Sequence, residues 1–273
     1  MNASDIIDLN DSQSEATLVP RRISETEYWE KYYHADDVTY EWNNGYLEEK
    51  PVSDLLTISM YKCFFELLEH YLRTNPIAQS VILEMGFRLV LPKSTSVRRP
   101  DLGVILNNKP IPILPHDKSY HGTFDLCVEA LSDSTADIKK RDTVTKKNEY
   151  AQGGVKEYYL LDGHREQTQF YRLNARGVYM PIKPVKGGII KSKVLPGFQF
   201  RIEDLYHPPS PEDMIEDWVY QDFVLPGYRQ EKLARQVEQE ARQVEQEARQ
   251  KAEQRASRLA EQLRALGIDL NEL

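Results

Sequence analysis

The sequence predicts an α/β domain with a mixed sheet flanked by helices, followed by a long C-terminal helix. Three observations predict it. Phe124–Leu131, a helical stretch over 136–152 and Glu157–Asp162 form a strand–helix–strand run with short links, which argues for a right-handed crossover between parallel strands. Tyr40-Glu-Trp-Asn-Asn-Gly45-Tyr-Leu-Glu-Glu49 sets the two-residue turn signal Asn44-Gly45 between strand-like flanks, so antiparallel pairing accompanies the parallel pair. Residues 234–240 and 241–247 are the same heptad, Ala-Arg-Gln-Val-Glu-Gln-Glu, the signature of a long helix.

The elements follow in order. Residues 1–24 are rich in Asn, Asp and Ser without periodicity and are expected as a disordered lead. Ser24-Glu-Thr-Glu27 has the form of a capping box opening a short helix through Tyr33. After the hairpin, Ser53 is expected to begin a helix with apolar residues at Leu55, Leu56, Ile58, Tyr61, Phe64, Phe65, Leu68 and Leu72, stopped by Asn75-Pro76. Val81–Leu91 alternates as one strand, Pro92–Pro100 breaks the pattern, and Asp101–Leu106 continues as another. Gly153-Gly154 closes the crossover helix, and further strands are expected around 168–171, 178–182 and 197–201. These elements make a domain over 25–208.

Residues 209–228 carry five acids and no base and are expected as an acidic linker to a heptad-repeat helix over 229–273. The helix seam is Ala234, Val237, Ala241, Val244 and Ala248, and then slips by one residue to Ala252, Ala256, Leu259, Leu263 and Leu266. An Ala/Val seam is weak, which leaves two outcomes open: a coiled coil joining two copies, or a single solvated charged helix.

Composition bounds the function. A chain of 273 residues suits one domain of about 150–200 residues plus appendages, and 16 Tyr and 8 Phe supply its core. No run approaches the roughly 18 apolar residues of a membrane helix, and no apolar signal core opens the chain, so a cytoplasmic protein is expected. Cys63 and Cys127 lie inside apolar patterns and read as buried small hydrophobes. The six histidines lack metal-ligand spacing. No Gly-x-Ser-x-Gly elbow or Cys/His pairing points to a nucleophilic hydrolase. The net charge of −8 divides into −2 for residues 1–24, −5 for 209–228 and 0 for 229–273, which leaves −1 for the domain. Charge therefore neither supports nor excludes a nucleic-acid partner.

Three positions carry chemistry. Asp101 follows Arg99-Pro100 and opens an apolar strand, which puts its carboxylate at a sheet edge or cleft; alone it is equally an ordinary loop-to-strand aspartate. Glu129 shares a strand face with Asp125, Cys127 and Leu131, and a carboxylate there needs a cationic partner. Two such acids on neighbouring strands suit a divalent ion, since hard cations prefer oxygen. Asp142, Lys146 and Tyr150 are spaced by four and lie on one helix face, which either turns to the same cleft or forms a solvated Asp142–Lys146 ion pair.

These landmarks in this order resemble the Uma-two family of restriction endonucleases, frequent in cyanobacteria, in the PD-(D/E)XK nuclease superfamily. The matching residues are Tyr40-Glu41…Gly45…Glu49-Lys50-Pro51, Arg99-Pro100-Asp101, Val128-Glu129-Ala-Leu-Ser132…Ser134-Thr135, Asp142…Lys146…Tyr150, Gly154-Val-Lys-Glu157-Tyr-Tyr-Leu-Leu-Asp162 and Leu195-Pro-Gly197-Phe, across about 25–206. The resemblance implies a restriction-endonuclease-like fold, phosphodiester hydrolysis in DNA and a divalent metal, Mg²⁺ or Mn²⁺. It implies Asp101 and Glu129 as metal-binding acids and Lys146 as the catalytic lysine, moved to the helix because Leu131 stands two residues after Glu129. Glu84 matches an accessory acid, and Glu41, Asp142 and Tyr150 stand in the shared landmarks as accessory residues. The chain departs from the family pattern where a histidine is absent around Asp54–Ile58 and where Tyr159 replaces a tryptophan. A homodimer through the C-terminal helix is the expected assembly, and a catalytically silent nuclease-fold scaffold is the alternative function.

Overall fold

The computed structural model describes residues 22–131 and 136–265. Most of the expected lead, the Ser132–Thr135 landmark and the end of the heptad region lie outside them. Ser24 caps α1 (Glu25–Glu27), its hydroxyl accepting from the Glu27 amide at 3.0 Å, and a π-type turn over Tyr28–Tyr32 follows. β1 (Tyr40–Asn43) and β2 (Tyr46–Glu49) pair across Asn44 and Gly45. Their φ angles, 47° and 102°, are the positive pair that a tight hairpin turn demands.

Asp54, rather than Ser53, caps α2 (Leu55–Thr74), accepting the Thr57 amide at 2.9 Å. The buried stripe of α2 runs through Met60, Phe64, Leu67, Leu68, Tyr71 and Leu72, whereas Leu55, Leu56 and Ile58 face outward. The expected strand over 81–91 is two strands, β3 (Ala78–Val81) and β4 (Gly86–Val90). Between them Leu83 and Glu84 take left-handed φ of 59° and 56°. The expected break at 92–100 contains β5 (Thr95–Arg98), which pairs with both β1 and β4.

β6 (Leu102–Leu106), β7 (Ser119–Tyr120) and β8 (Leu126–Ala130) lead into the crossover. That crossover is α3 (Ala136–Lys140), a π-type turn over Arg141–Lys146 and α4 (Lys147–Gly153), closed by Gly154 at φ 84°. β9 (Glu157–Leu161) returns parallel to β8, and β10 (Gln169–Leu173) and β11 (Tyr179–Pro181) extend the sheet. β12 (Ile189–Lys191) and β13 (Gln199–Arg201) form a separate hairpin, followed by α5 (Ile202–Tyr206).

The six-stranded sheet has the order β11-β10-β9-β8-β6-β3, parallel only at β8/β9. A five-stranded sheet, β2-β1-β5-β4-β7, stands apart from it. α2, β13 and the alternate residues Leu126, Val128, Tyr159 and Leu161 make one core. Phe87, Phe124, Cys127, Tyr150, Tyr158 and Leu160 make a second core on the opposite face. Both cysteines are buried and free.

Residues 209–228, expected as a linker, belong to the larger core. α6 (Pro211–Glu216) and the turn after it bury Ile215, Val219, Tyr220, Phe223 and Val224. Asp217 accepts from Arg201 at 2.9 Å, and Thr74 donates to the Phe223 carbonyl at 3.1 Å. Four of the five acids, Glu212, Asp213, Glu216 and Asp222, occupy the outward positions of an amphipathic segment, so composition alone hides its apolar half. α7 (Pro226–Ala265) then runs 40 residues, with Val237, Val244 and Leu259 exposed. No helix among the described residues is long and apolar enough to cross a membrane.

Candidate active site

β6 and β8 pair antiparallel with Leu102 opposite Val128, so the next pair outward sets Asp101 opposite Glu129 on the same face. Asp101 Oδ2 accepts the Ala130 amide at 2.6 Å, which ties the two strand ends together. The crossover brings Lys146 over that face, with Nζ 3.0 Å from Glu129 Oε2, 3.2 Å from Glu41 Oε1 and 3.0 Å from Asp142 Oδ1. Tyr150 donates to Glu129 Oε1 at 2.7 Å. The structure thus brings Asp101, Glu129 and Lys146 together, with Glu41, Asp142 and Tyr150 around them.

The Asp142–Lys146 pair exists, but it is buried rather than solvated: Lys146 is 1% exposed. The wider winding over Arg141–Lys146 carries both residues inward, and Tyr158 anchors it by donating to the Asp142 carbonyl at 3.0 Å. Asp142 Oδ1 approaches Lys146 as an ion pair without hydrogen-bond geometry.

Glu41 is a hub. Oε1 accepts the Arg99 amide at 2.8 Å, and Oε2 accepts from the buried Arg98 guanidinium at 3.1 Å. Arg98 also holds Glu149 and Glu48. Burial would raise the Glu41 carboxyl, but Lys146, Arg98 and Lys50 outweigh it and hold the group well below the usual carboxylate range. Glu129 goes the other way: burial pushes it up to about 7 against the pull of Lys146 and Lys50. Burial also disfavours the Lys146 ammonium, yet Asp142, Glu129 and Glu41 raise its proton affinity well above the ordinary lysine value, so it stays charged.

Lys50 stands in the Glu49-Lys50-Pro51 landmark, but the sequence reading gave it no role at the site. It follows β2, and Nζ donates to Asp101 Oδ1 at 2.9 Å and to the Arg99 carbonyl at 2.6 Å. Nζ also lies 3.6 Å from Glu84 and 3.9 Å from Glu129 Oε2. Glu84 reaches this point from the left-handed turn, which Arg99 braces by donating to the Glu84 carbonyl at 2.9 Å. Apart from that landmark, the signal was a lone basic residue at the end of a hairpin strand beside two glutamates, which has the pattern of a solvated charge run. Arg98 was hidden in the same way beside Arg99-Pro100.

Of the acids, Asp101 and Glu84 reach solvent through a cleft, while Glu129 is buried behind them. Asp101, Glu84, Ser53, Tyr61 and Ile58 line a cleft of about 210 Å³. Tyr61 and Ser53 fix its walls by donating to the carbonyls of Asp101 at 3.0 Å and Ala130 at 3.2 Å. Glu84, Asp101 and Glu129, with the Arg99 carbonyl, are a hard-oxygen set that already surrounds one positive charge, which is the chemistry a divalent cation requires. Around the ammonium their spacing is wider than a metal would impose: among the described residues no group of three or more Asp, Glu, His or Cys is arranged to hold a metal ion.

Fold and site together define a restriction-endonuclease-like α/β domain. A crystal structure from Anabaena variabilis ATCC 29413, described as "a putative nuclease belonging to DUF820", shares the fold at a TM-score of 0.53 and 15% identity, over 68% of this chain and 98% of that chain. No curated protein matches the chain. Residues 26–203 match the family Uma2, "Putative restriction endonuclease", and the chain belongs to that family.

Proposed function

We propose that this protein is a metal-dependent endonuclease that hydrolyses DNA phosphodiester bonds at the Asp101 cleft. One observation carries the proposal: Asp101, Glu129 and Lys146 come from three separate segments and meet in a single ionic network that reaches a cleft at Asp101. Membership of a family described as restriction endonucleases supports it. In the reaction a water oxygen adds to phosphorus in line with a P–O ester bond, that bond breaks, and the leaving oxygen takes up a proton.

Asp101 and Glu129, with Glu84 beside them, would hold Mg²⁺ or Mn²⁺, which supplies Lewis-acid stabilisation of the charge that grows on the phosphate. Asp101 and Glu84 line the cleft and are the acids open to an incoming substrate. Lys146 is too enclosed to meet a phosphate directly; it acts through Glu129, fixing one carboxylate oxygen while Tyr150 fixes the other. Glu41 and Asp142 hold Lys146 in turn.

The purified chain is expected to nick supercoiled plasmid with Mg²⁺, and Asp101→Ala or Lys146→Ala to abolish nicking. Cleavage that persists in both variants would refute the proposal. A second copy is the partner we assign to α7, and truncation after residue 228 should convert a dimer to a monomer in light scattering. A catalytically silent scaffold is favoured by one observation, the Lys50 ammonium lodged among the acids. It predicts neither cleavage nor heat on metal titration.

A further inference from the structure

Two lysines serve this cluster, and they are held differently. Lys146 sits under the strand ends between Glu41, Glu129 and Asp142 and is 1% exposed. Lys50, 6% exposed in its side chain, lies behind two residues that line the cleft, Asp101 and Glu84, whose side chains are 22% and 31% exposed. Its backbone belongs to the β1–β2 hairpin, tied through its amide to the Thr39 carbonyl at 3.0 Å, so its position is independent of the six-stranded sheet that carries Asp101 and Glu129. A lysine side chain is four rotatable carbons, and its head can leave while its backbone stays.

The four oxygens around Lys50 Nζ, from the Arg99 carbonyl, Asp101, Glu84 and Glu129, lie 2.6 to 3.9 Å away. They are the hard donors that divalent cations select, spread to the wider radius of an ammonium; about 2.0–2.1 Å is the Mg²⁺–oxygen distance. Two cations cannot share that space, because like charges a few ångströms apart repel strongly where water is excluded.

We propose that Lys50 is a tethered competitor for the metal: its ammonium occupies the cation position in the resting protein, and a divalent ion binds only as Lys50 swings into the cleft. Lys50 thereby sets metal affinity, and once displaced it stands where an incoming phosphate would arrive. This rests on the metal-dependent function proposed above.

Calorimetric titration of the full chain with Ca²⁺ tests it without catalysis. Lys50→Met is expected to bind Ca²⁺ at least about tenfold tighter than wild type, since a competing charge is gone. A purely structural lysine gives the opposite result, because its loss loosens the acids. Amine acetylation of the wild type, followed by mass spectrometry, covers the case in which the variant does not fold. Labelling of Lys50 should rise on saturation with Ca²⁺, while Lys62, 73% exposed in its side chain, stays constant. Unchanged or weaker binding by a folded Lys50→Met, or Lys50 labelling indifferent to saturating Ca²⁺, overturns the proposal. If Asp101→Asn then abolishes Ca²⁺ binding, the metal-dependent function survives that failure. If no Asp101-dependent binding occurs in wild type or Lys50→Met, both fall.

Discussion

The domain and α7 use the same chemistry, basic side chains paired with carboxylates, to opposite effect. Along α7 the pairs Glu231–Arg235, Glu238–Arg242 and Arg249–Glu253 are four residues apart, and their side chains are more than half exposed. They decorate a helix that water already solvates. Under β6 and β8, Lys146 and Arg98 tie Glu41, Glu129, Asp142 and Glu149 together with almost no exposure. Charges that have lost their hydration depend wholly on one another. Burial, rather than pairing, separates a site from a decoration.

Lys146→Met is the most direct way to break that comparison. It leaves Glu41, Glu129 and Asp142 without their shared cation and should cost about 3–5 kcal/mol in denaturant unfolding. A loss below about 1 kcal/mol would mean that the cluster is solvated like α7. Tyr150→Phe removes one hydrogen bond from Glu129 without adding bulk, and about 1–3 kcal/mol of destabilisation is expected by the same measurement.

Acid sharpens the contrast further. The folded-state pKa of Glu41 is depressed, so its stabilising contribution is present above its ordinary value of 4.5 and fades as the pH falls towards the folded value. In EDTA, Glu41→Gln should be clearly less stable than wild type at pH 7, and the gap should narrow below about pH 4.5. A gap that widens on acidification would contradict the sign. The smallest effect belongs to the helix: Arg242→Ala should shift stability by less than about 0.5 kcal/mol, with any effect screened by salt.

Much of the fold could be read from local chemistry. Asn44-Gly45 fixed the hairpin because few other pairs tolerate both positive φ angles. The β8–crossover–β9 unit followed from apolar strand runs around a helix ended by Gly154, and its parallel pairing is present. The division between β3 and β4 escaped because Leu83 and Glu84 adopt left-handed backbone without glycine, held by Arg99 from a distant segment. Residues 211–224 escaped because their charge count conceals Ile215, Val219, Tyr220, Phe223 and Val224. Asp101, Glu129 and Lys146 were legible as an ordered set of landmarks, and the structure brings the three side chains into one ionic network. Lys50 was legible only as part of the Glu49-Lys50-Pro51 landmark and its place among the acids was not, since a glutamate-flanked lysine declares its solvent exposure only when its neighbours across the fold are known.

The tandem heptads give α7 a property that loops lack. At about 1.5 Å per residue its 40 residues extend roughly 60 Å, and one further Ala-Arg-Gln-Val-Glu-Gln-Glu unit would lengthen it by about 10 Å while rotating its tip by only some 20°. Duplication or deletion of whole units therefore changes reach in discrete steps at nearly constant azimuth. The repeat is a ruler whose span evolution can reset without redesigning either end.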